Sequence, residues 1–111
     1  MQWSKWRDLP DPRNCGILIA PIGAGCYELR RKDTGKLVLF GMGGRVAVRM
    51  TSLLPKPYGG GTRNNESKRQ YVLAHIEAIE YRTLACATRQ QAHECEQQLK
   101  RNGSGGYEFG T

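Results

Sequence analysis

At 111 residues the chain has room for one domain with a single modest core, and no apolar run approaches the roughly 18 residues that a membrane-spanning helix needs. Its formal net charge is +7, and residues 28–69 carry that whole excess, with ten Lys or Arg against Glu28, Asp33 and Glu66. A basic field gathered in one stretch points to a polyanionic partner, a nucleic acid above all, and away from the membrane.

In chain order, residues 1–24 are punctuated by Pro, Gly and Asp and read as an irregular arm, with one short edge strand expected in the apolar run "GILIAPIGAG". The arm lacks the apolar segment of a secretory signal, so the expected setting is cytoplasmic. Trp3 and Trp6 alternate with Lys5 and Arg7, a pattern that serves either stacking on bases or packing of the arm on a sheet.

"GCYELRRKDTGKLVLFG" then reads as a hairpin, with strands over residues 26–32 and 37–41 joined by "DTGK", where Gly35 supplies the turn. The following "GMGGR" lacks the Lys-Ser/Thr ending of a P-loop and reads as a tight strand-to-helix turn. Over residues 44–54, "GRVAVRMTSLL" has helical spacing: Val46, Ala47, Met50, Leu53 and Leu54 share one face, while Arg45, Arg49 and Ser52 form a polar stripe on another. "PKPYGGGTRNNE" is loop by composition. "NNESKRQYVLAH" predicts a short helix capped by Asn64 or Asn65.

"IEAIEYRTLACA" alternates Ile79, Tyr81, Thr83 and Ala85 as a half-buried strand does. Thr88 followed three residues later by Gln91 is a capping-box signature opening a last helix. On that helix Ala92, Cys95 and Leu99 form the core stripe, Glu96 lies at its edge and Glu94 points nearly opposite. Gly103 ends the helix, and residues 103–111 read as a flexible tail in which Tyr107 and Phe109 offer docking points. His93 and Glu96 share a face but lack the further ligands of a zinc site. Cys15, Cys26, Cys86 and Cys95 contain no C-x-x-C pair and read as reduced thiols. The expected fold is α+β, a small three-stranded antiparallel sheet flanked by helices, with one domain over residues 25–102.

The two glycine-bounded triplets, the arginine-bearing helix and the later carboxylate together resemble the GIY-YIG nuclease superfamily. Gly25-Cys26-Tyr27 looks like its first triplet and Leu39-Phe40-Gly41 like its second. Arg49, eight residues past Gly41, sits where that family places an arginine, and Ala92, Glu96 and Leu99 match its glutamate segment. Two positions depart: Leu39 replaces the tyrosine of the second triplet, and Leu53 stands where a His or Tyr is common.

The resemblance implies a metal-dependent DNA endonuclease with catalytic residues Tyr27, Arg49 and Glu96, where Glu96 binds one Mg²⁺ or Mn²⁺, Arg49 clamps the phosphate and Tyr27 orients or deprotonates water. Arg30, Lys32, Lys36, Arg45, Lys68 and Arg69 are the expected contacts to the DNA backbone, with a partner protein supplying targeting. The alternative is a decayed site that binds nucleic acid or protein without cutting. With Leu39 in the second triplet, Tyr81, His75, Lys36 or a residue of the Tyr58 loop is left to assist Tyr27.

Overall fold

The computed structural model describes residues 3–11, 16–55, 59–60, 66–102, 107 and 109. Its elements in chain order are β1 (Arg7–Asp8), β2 (Gly25–Arg31), β3 (Leu37–Gly43), α1 (Val46–Met50), a 3₁₀ turn (Thr51–Leu53), α2 (Glu66–Ala74), a second 3₁₀ turn (Ile76–Ala78), β4 (Ile79–Ala85) and α3 (Arg89–Asn102). The strands form one antiparallel sheet in the order β1-β4-β2-β3.

The fold is thus α+β, with four strands where the sequence predicts three. The additional strand is Arg7–Asp8, and it lies elsewhere than in the apolar run expected to hold an edge strand. Neither residue carries a strand signature; the pairing comes from the free edge of β4. Ser4 donates its N–H to the Thr83 carbonyl at 2.8 Å and accepts the Thr83 N–H on its hydroxyl at 3.0 Å. Leu9 donates to Ile79 at 3.3 Å and is itself buried in the core. Residues 21–24 serve the neighbouring elements instead. Pro21 and Gly23 carbonyls accept the first N–H groups of α1 at 3.0 Å, and the Ala24 carbonyl accepts from Cys86 at 2.9 Å.

The β2–β3 turn forms where expected. Gly35 has φ +73°, a conformation that suits a residue without Cβ, and Arg31 donates to Lys36 across the turn at 2.8 Å. Register pairs Gly25 with Gly43, Tyr27 with Gly41 and Leu29 with Leu39, with an irregularity between Leu29 and Arg30. On the other side of β2, Tyr27 faces Thr83 and Leu29 faces Tyr81.

One sheet face carries Tyr27, Leu29, Leu39, Ile79 and Tyr81 and buries them with Val46, Met50, Leu53, Leu54, Val72 and Ile76 of the α1–α2 layer. The opposite face carries Cys26 and Leu84, covered by Ala92 and Cys95 of α3 and by Trp3.

The helix of residues 44–54 is shorter than its periodicity predicts. The Thr51 hydroxyl donates to the Val48 carbonyl, and that of Ser52 to Arg49 at 2.9 Å, turning the end of α1 into a 3₁₀ turn before Pro55. In α2, Arg69 binds the Ser52 carbonyl at 3.1 Å and that of Leu54 at 2.6 Å, holding the two helical segments together. Its expected caps, Asn64 and Asn65, lie outside the described residues. At the start of α3, Gln91 donates its N–H to Thr88 Oγ1 at 3.1 Å and its side chain accepts from the Ala87 N–H at 2.9 Å, a capping box whose return bond falls one residue early.

No helix among the described residues is long and apolar enough to cross a membrane. Of the C-terminal segment, Tyr107 and Phe109 are described, and both dock: Tyr107 bridges to Leu37 and stacks on Phe40 at 4.7 Å, and Phe109 donates its N–H to Val38 at 2.9 Å. The thiols of Cys26, Cys86 and Cys95 are free; Cys15 lies outside the described residues.

Candidate active site

The matched triplets have a steric meaning. A Cβ at Gly41 would lie 2.4 Å from the Tyr27 hydroxyl and 2.5 Å from its ring, so the tyrosine lies flat across the glycine of its cross-strand partner. A Cβ at Gly25 would meet the Leu84 carbonyl oxygen at 2.3 Å, so that glycine lets β4 pass close to β2. Gly41 is therefore the floor under a buried phenol, on the edge strand of the sheet.

Arg49 projects from α1 onto the same strand, its stem on Gly43, where a Cβ would stand 3.1 Å from Arg49 Cδ. Burial pushes the Tyr27 phenol above its ordinary pKa; the positive charge of the nearby Arg49 guanidinium opposes that, and the Glu96 carboxylate adds to it. Glu96 comes from α3, on the other sheet face, and is half-buried. Tyr27, Arg49 and Glu96 thus lie close enough to act on one another's charge.

Lys68 joins them. Burial, then the Arg49 charge, lowers its pKa, while Glu96 raises it. Sequence periodicity gives no route to that placement, because Lys68 reaches Arg49 through the packing of α2 on the turn after α1. It stood among the expected DNA contacts and not among the groups proposed to assist Tyr27.

Those groups are placed elsewhere. Tyr81 is fully buried and its hydroxyl accepts the Ile19 N–H at 2.9 Å. His75 stacks on Tyr71 with ring centroids 4.6 Å apart. Lys36 lies exposed at the β2–β3 turn. Tyr58 lies outside the described residues. Leu39 and Leu53 are 1% and 2% exposed in the core, so neither position opens on the cleft.

The six expected backbone contacts fall into different environments. Arg30 pairs with Glu80 and lies 4.0 Å over the Trp6 ring; Lys32 pairs with Asp8 at 3.0 Å. Arg69 is bound to the two carbonyls named above. Arg45 is exposed and has no carboxylate partner among the described residues. Arg89, which sequence reasoning did not single out, shares that state. A cleft of about 460 Å³ is lined by Arg45, Arg49 and Arg89 with Met42, Val48 and the Gly43–Gly44 turn.

For a metal, the site offers one carboxylate, Glu96. No cluster of three or more His, Cys, Asp or Glu with ligand geometry exists among the described residues. A hard divalent ion held by one carboxylate and otherwise by water and substrate phosphate fits such a donor set. Arg49 and Lys68 beside Glu96 oppose a cation until a phosphate anion is present.

No family model matches the chain, and no curated protein or solved structure matches it.

Proposed function

We propose that the chain is a GIY-YIG-type endonuclease that hydrolyses DNA phosphodiester bonds with help from one Mg²⁺ or Mn²⁺. The observation that carries this reading is the packing of the Tyr27 phenol on Gly41 and of the Arg49 stem on Gly43, two residues apart on the edge strand, with the Glu96 carboxylate and the Lys68 amine near enough to act on their charge. Phosphodiester hydrolysis needs a positioned water, a proton acceptor, and positive charge against the phosphate's developing negative charge.

Arg49 clamps the scissile phosphate and at the same time fixes the Tyr27 hydroxyl. Tyr27, rigid on Gly41, orients the water that attacks phosphorus as the bond to the leaving oxygen breaks. With its own pKa raised, Tyr27 is a poor base alone at neutral pH. Lys68, close enough to Arg49 and Glu96 to feel their charge, adds positive charge beside the phosphate, and the proton that leaves the water passes by way of the phenol to solvent. A divalent ion held by Glu96 and the phosphate would offset charge on the phosphate oxygens and the leaving group. The DNA is held by its backbone with little sequence preference, and targeting falls to a partner protein.

The test is nicking of supercoiled plasmid. The purified chain should nick with Mg²⁺ or Mn²⁺, stop with EDTA, and lose nicking on Glu96→Ala while still binding DNA. Equal nicking by wild type and Glu96→Ala would remove Glu96 from the mechanism. A second reading, binding without cutting, draws on Leu39 and Leu53, which put no polar group into the cleft; retained DNA binding with no metal-dependent nicking would favour it.

A further inference from the structure

The cleft beside the proposed catalytic groups holds more positive charge than one phosphate needs. Arg49 and Arg89 straddle the Gly43–Gly44 turn: a Cβ on Gly43 would stand 3.1 Å from Arg49 Cδ, and one on Gly44 3.9 Å from Arg89 Cδ. Their stems thus descend on neighbouring residues of the same turn, one from α1 and one from the first turn of α3. Arg45 adds a third guanidinium, and among the described residues no carboxylate lines the cleft; Glu94 lines the adjoining hollow, which shares Met42 and Arg89 with it.

Arg45 and Arg89 have no ion-pair partner among the described residues, whereas Arg30, Arg31, Lys32 and Arg82 all have one. The volume of about 460 Å³ exceeds what a bare phosphate fills and lies within the range of small-ligand sites, about 300–1,000 Å³. Val48, 53% exposed, and half-buried Met42 give it an apolar wall suited to a sugar or base.

We propose that this cleft binds the backbone phosphate adjoining the scissile one, with Arg89 as its principal ligand and Arg45 in support, so that the substrate is a polynucleotide strand and not an isolated phosphate ester. The inference rests on the hydrolase reading for the place of the scissile phosphate, but its test needs no turnover. Arg49 then serves the bond that breaks, and Arg89 fixes the strand one phosphate away. A planar guanidinium suits that second role, because it grips phosphate through paired N–H donors.

The experiment measures binding of a short fluorescein-labelled DNA duplex in EDTA, on a Glu96→Ala background, across a salt series. Arg89→Ala should weaken binding about tenfold at low salt and reduce the slope of log affinity against log salt by about 0.9, the signature of one lost phosphate contact. Arg89→Lys should recover most of the slope, since it keeps the charge. Arg101→Ala, about 18 Å further along α3 by helical rise, should leave the slope unchanged. A slope in Arg89→Ala equal to its parent's, or an equal loss in Arg101→Ala, would overturn the assignment. If the wild type nicks no DNA yet the Arg89 slope change is present, the hydrolase reading fails and the phosphate cleft stands; if the wild type nicks and the slope is unchanged, the cleft alone fails.

Discussion

The two ends of the sheet use positive charge in opposite ways. Along β4 and β2, cations are paired within the protein: Arg82 binds Glu28 at 2.7 Å and Arg30 binds Glu80, while Lys32 meets Asp8 of β1 at the surface. Trp6 lies against both Arg30 and Arg82, and Trp3 against Arg82 at 4.5 Å. At the hairpin turn, Arg31 beside Asp33 holds that carboxyl down at about 2. Around Gly43, in contrast, Arg45, Arg49 and Arg89 line one cleft, Lys68 and Glu96 lie near Arg49, and Glu94 lines the adjoining hollow with Arg89. Charge paired at home stabilises a fold. Charge left unpaired at a cleft awaits an anion from outside, and the net charge of the chain does not tell the two apart.

The sharpest way to break this contrast is to delete one arginine from each end. Arg49→Ala should lower the cleavage rate about 100- to 1,000-fold, the usual cost of removing one donor from a developing anion, and weaken DNA binding as well. Single-turnover kinetics beside a binding isotherm reads both. Arg82→Ala should act on the fold instead. It leaves the Glu28 carboxylate, 3% exposed, with the Tyr107 hydroxyl as its remaining described side-chain donor, and should cost about 2–3 kcal/mol in urea unfolding. A stable Arg82→Ala protein that has lost DNA affinity would reverse the assignment of the two ends.

A smaller perturbation tests the floor of the site. Gly41→Ala places a methyl inside the Tyr27 ring and should cost about 1–3 kcal/mol of stability by overpacking, with a rate loss larger than its affinity loss. Unchanged stability and rate would mean that Tyr27 does not lie across this glycine. The smallest expected effect is on stability in Arg45→Ala, within about 0.5 kcal/mol because the side chain is exposed and unpaired, together with a measurable loss of salt-sensitive DNA binding.

Burial raises the Tyr27 pKa, so a rate that depends on its ionisation should climb with pH through neutrality and go on climbing past the ordinary tyrosine value of about 10 without a plateau below it. A flat profile in the wild type would exclude the phenol as proton acceptor.

Much of the fold was legible because its signals are local. Alternation marked β4, the capping box marked α3, and Gly35 marked the hairpin turn. The two triplets stood out in the sequence, but the steric match of Tyr27 with Gly41 came only with the register of the folded hairpin. β1 was not legible, because two residues without alternation pair through the demand of a free edge. Nor was the pairing of Arg30 with Glu80, which depends on a β2–β4 register between residues 50 positions apart. Arg89, and the place of Lys68 beside Arg49, escaped for a related reason. A charged residue on a helix reads as solvated until tertiary packing brings another charge beside it, and both meet Arg49 only through the docking of α2 and α3 on the hairpin edge.

Leu39 gives the opposite lesson. As a missing tyrosine it suggested a polar position to be restored, yet its side chain is enclosed in the core between Leu29 and the α1 layer. Leu39→Tyr should therefore destabilise the fold by about 1–3 kcal/mol through overpacking; a melting temperature equal to wild type would show that the position opens on the cleft.

If the Tyr27 phenol takes part in chemistry, Tyr27→Phe exposes it, since phenylalanine keeps the ring on Gly41 and removes the hydroxyl alone. Single-turnover cleavage of a DNA duplex with Mn²⁺, measured beside thermal stability and DNA affinity, should show a rate at least about 100-fold lower with the other two quantities essentially unchanged. Cleavage by Tyr27→Phe at the wild-type rate would contradict the account and leave Tyr27 a packing residue.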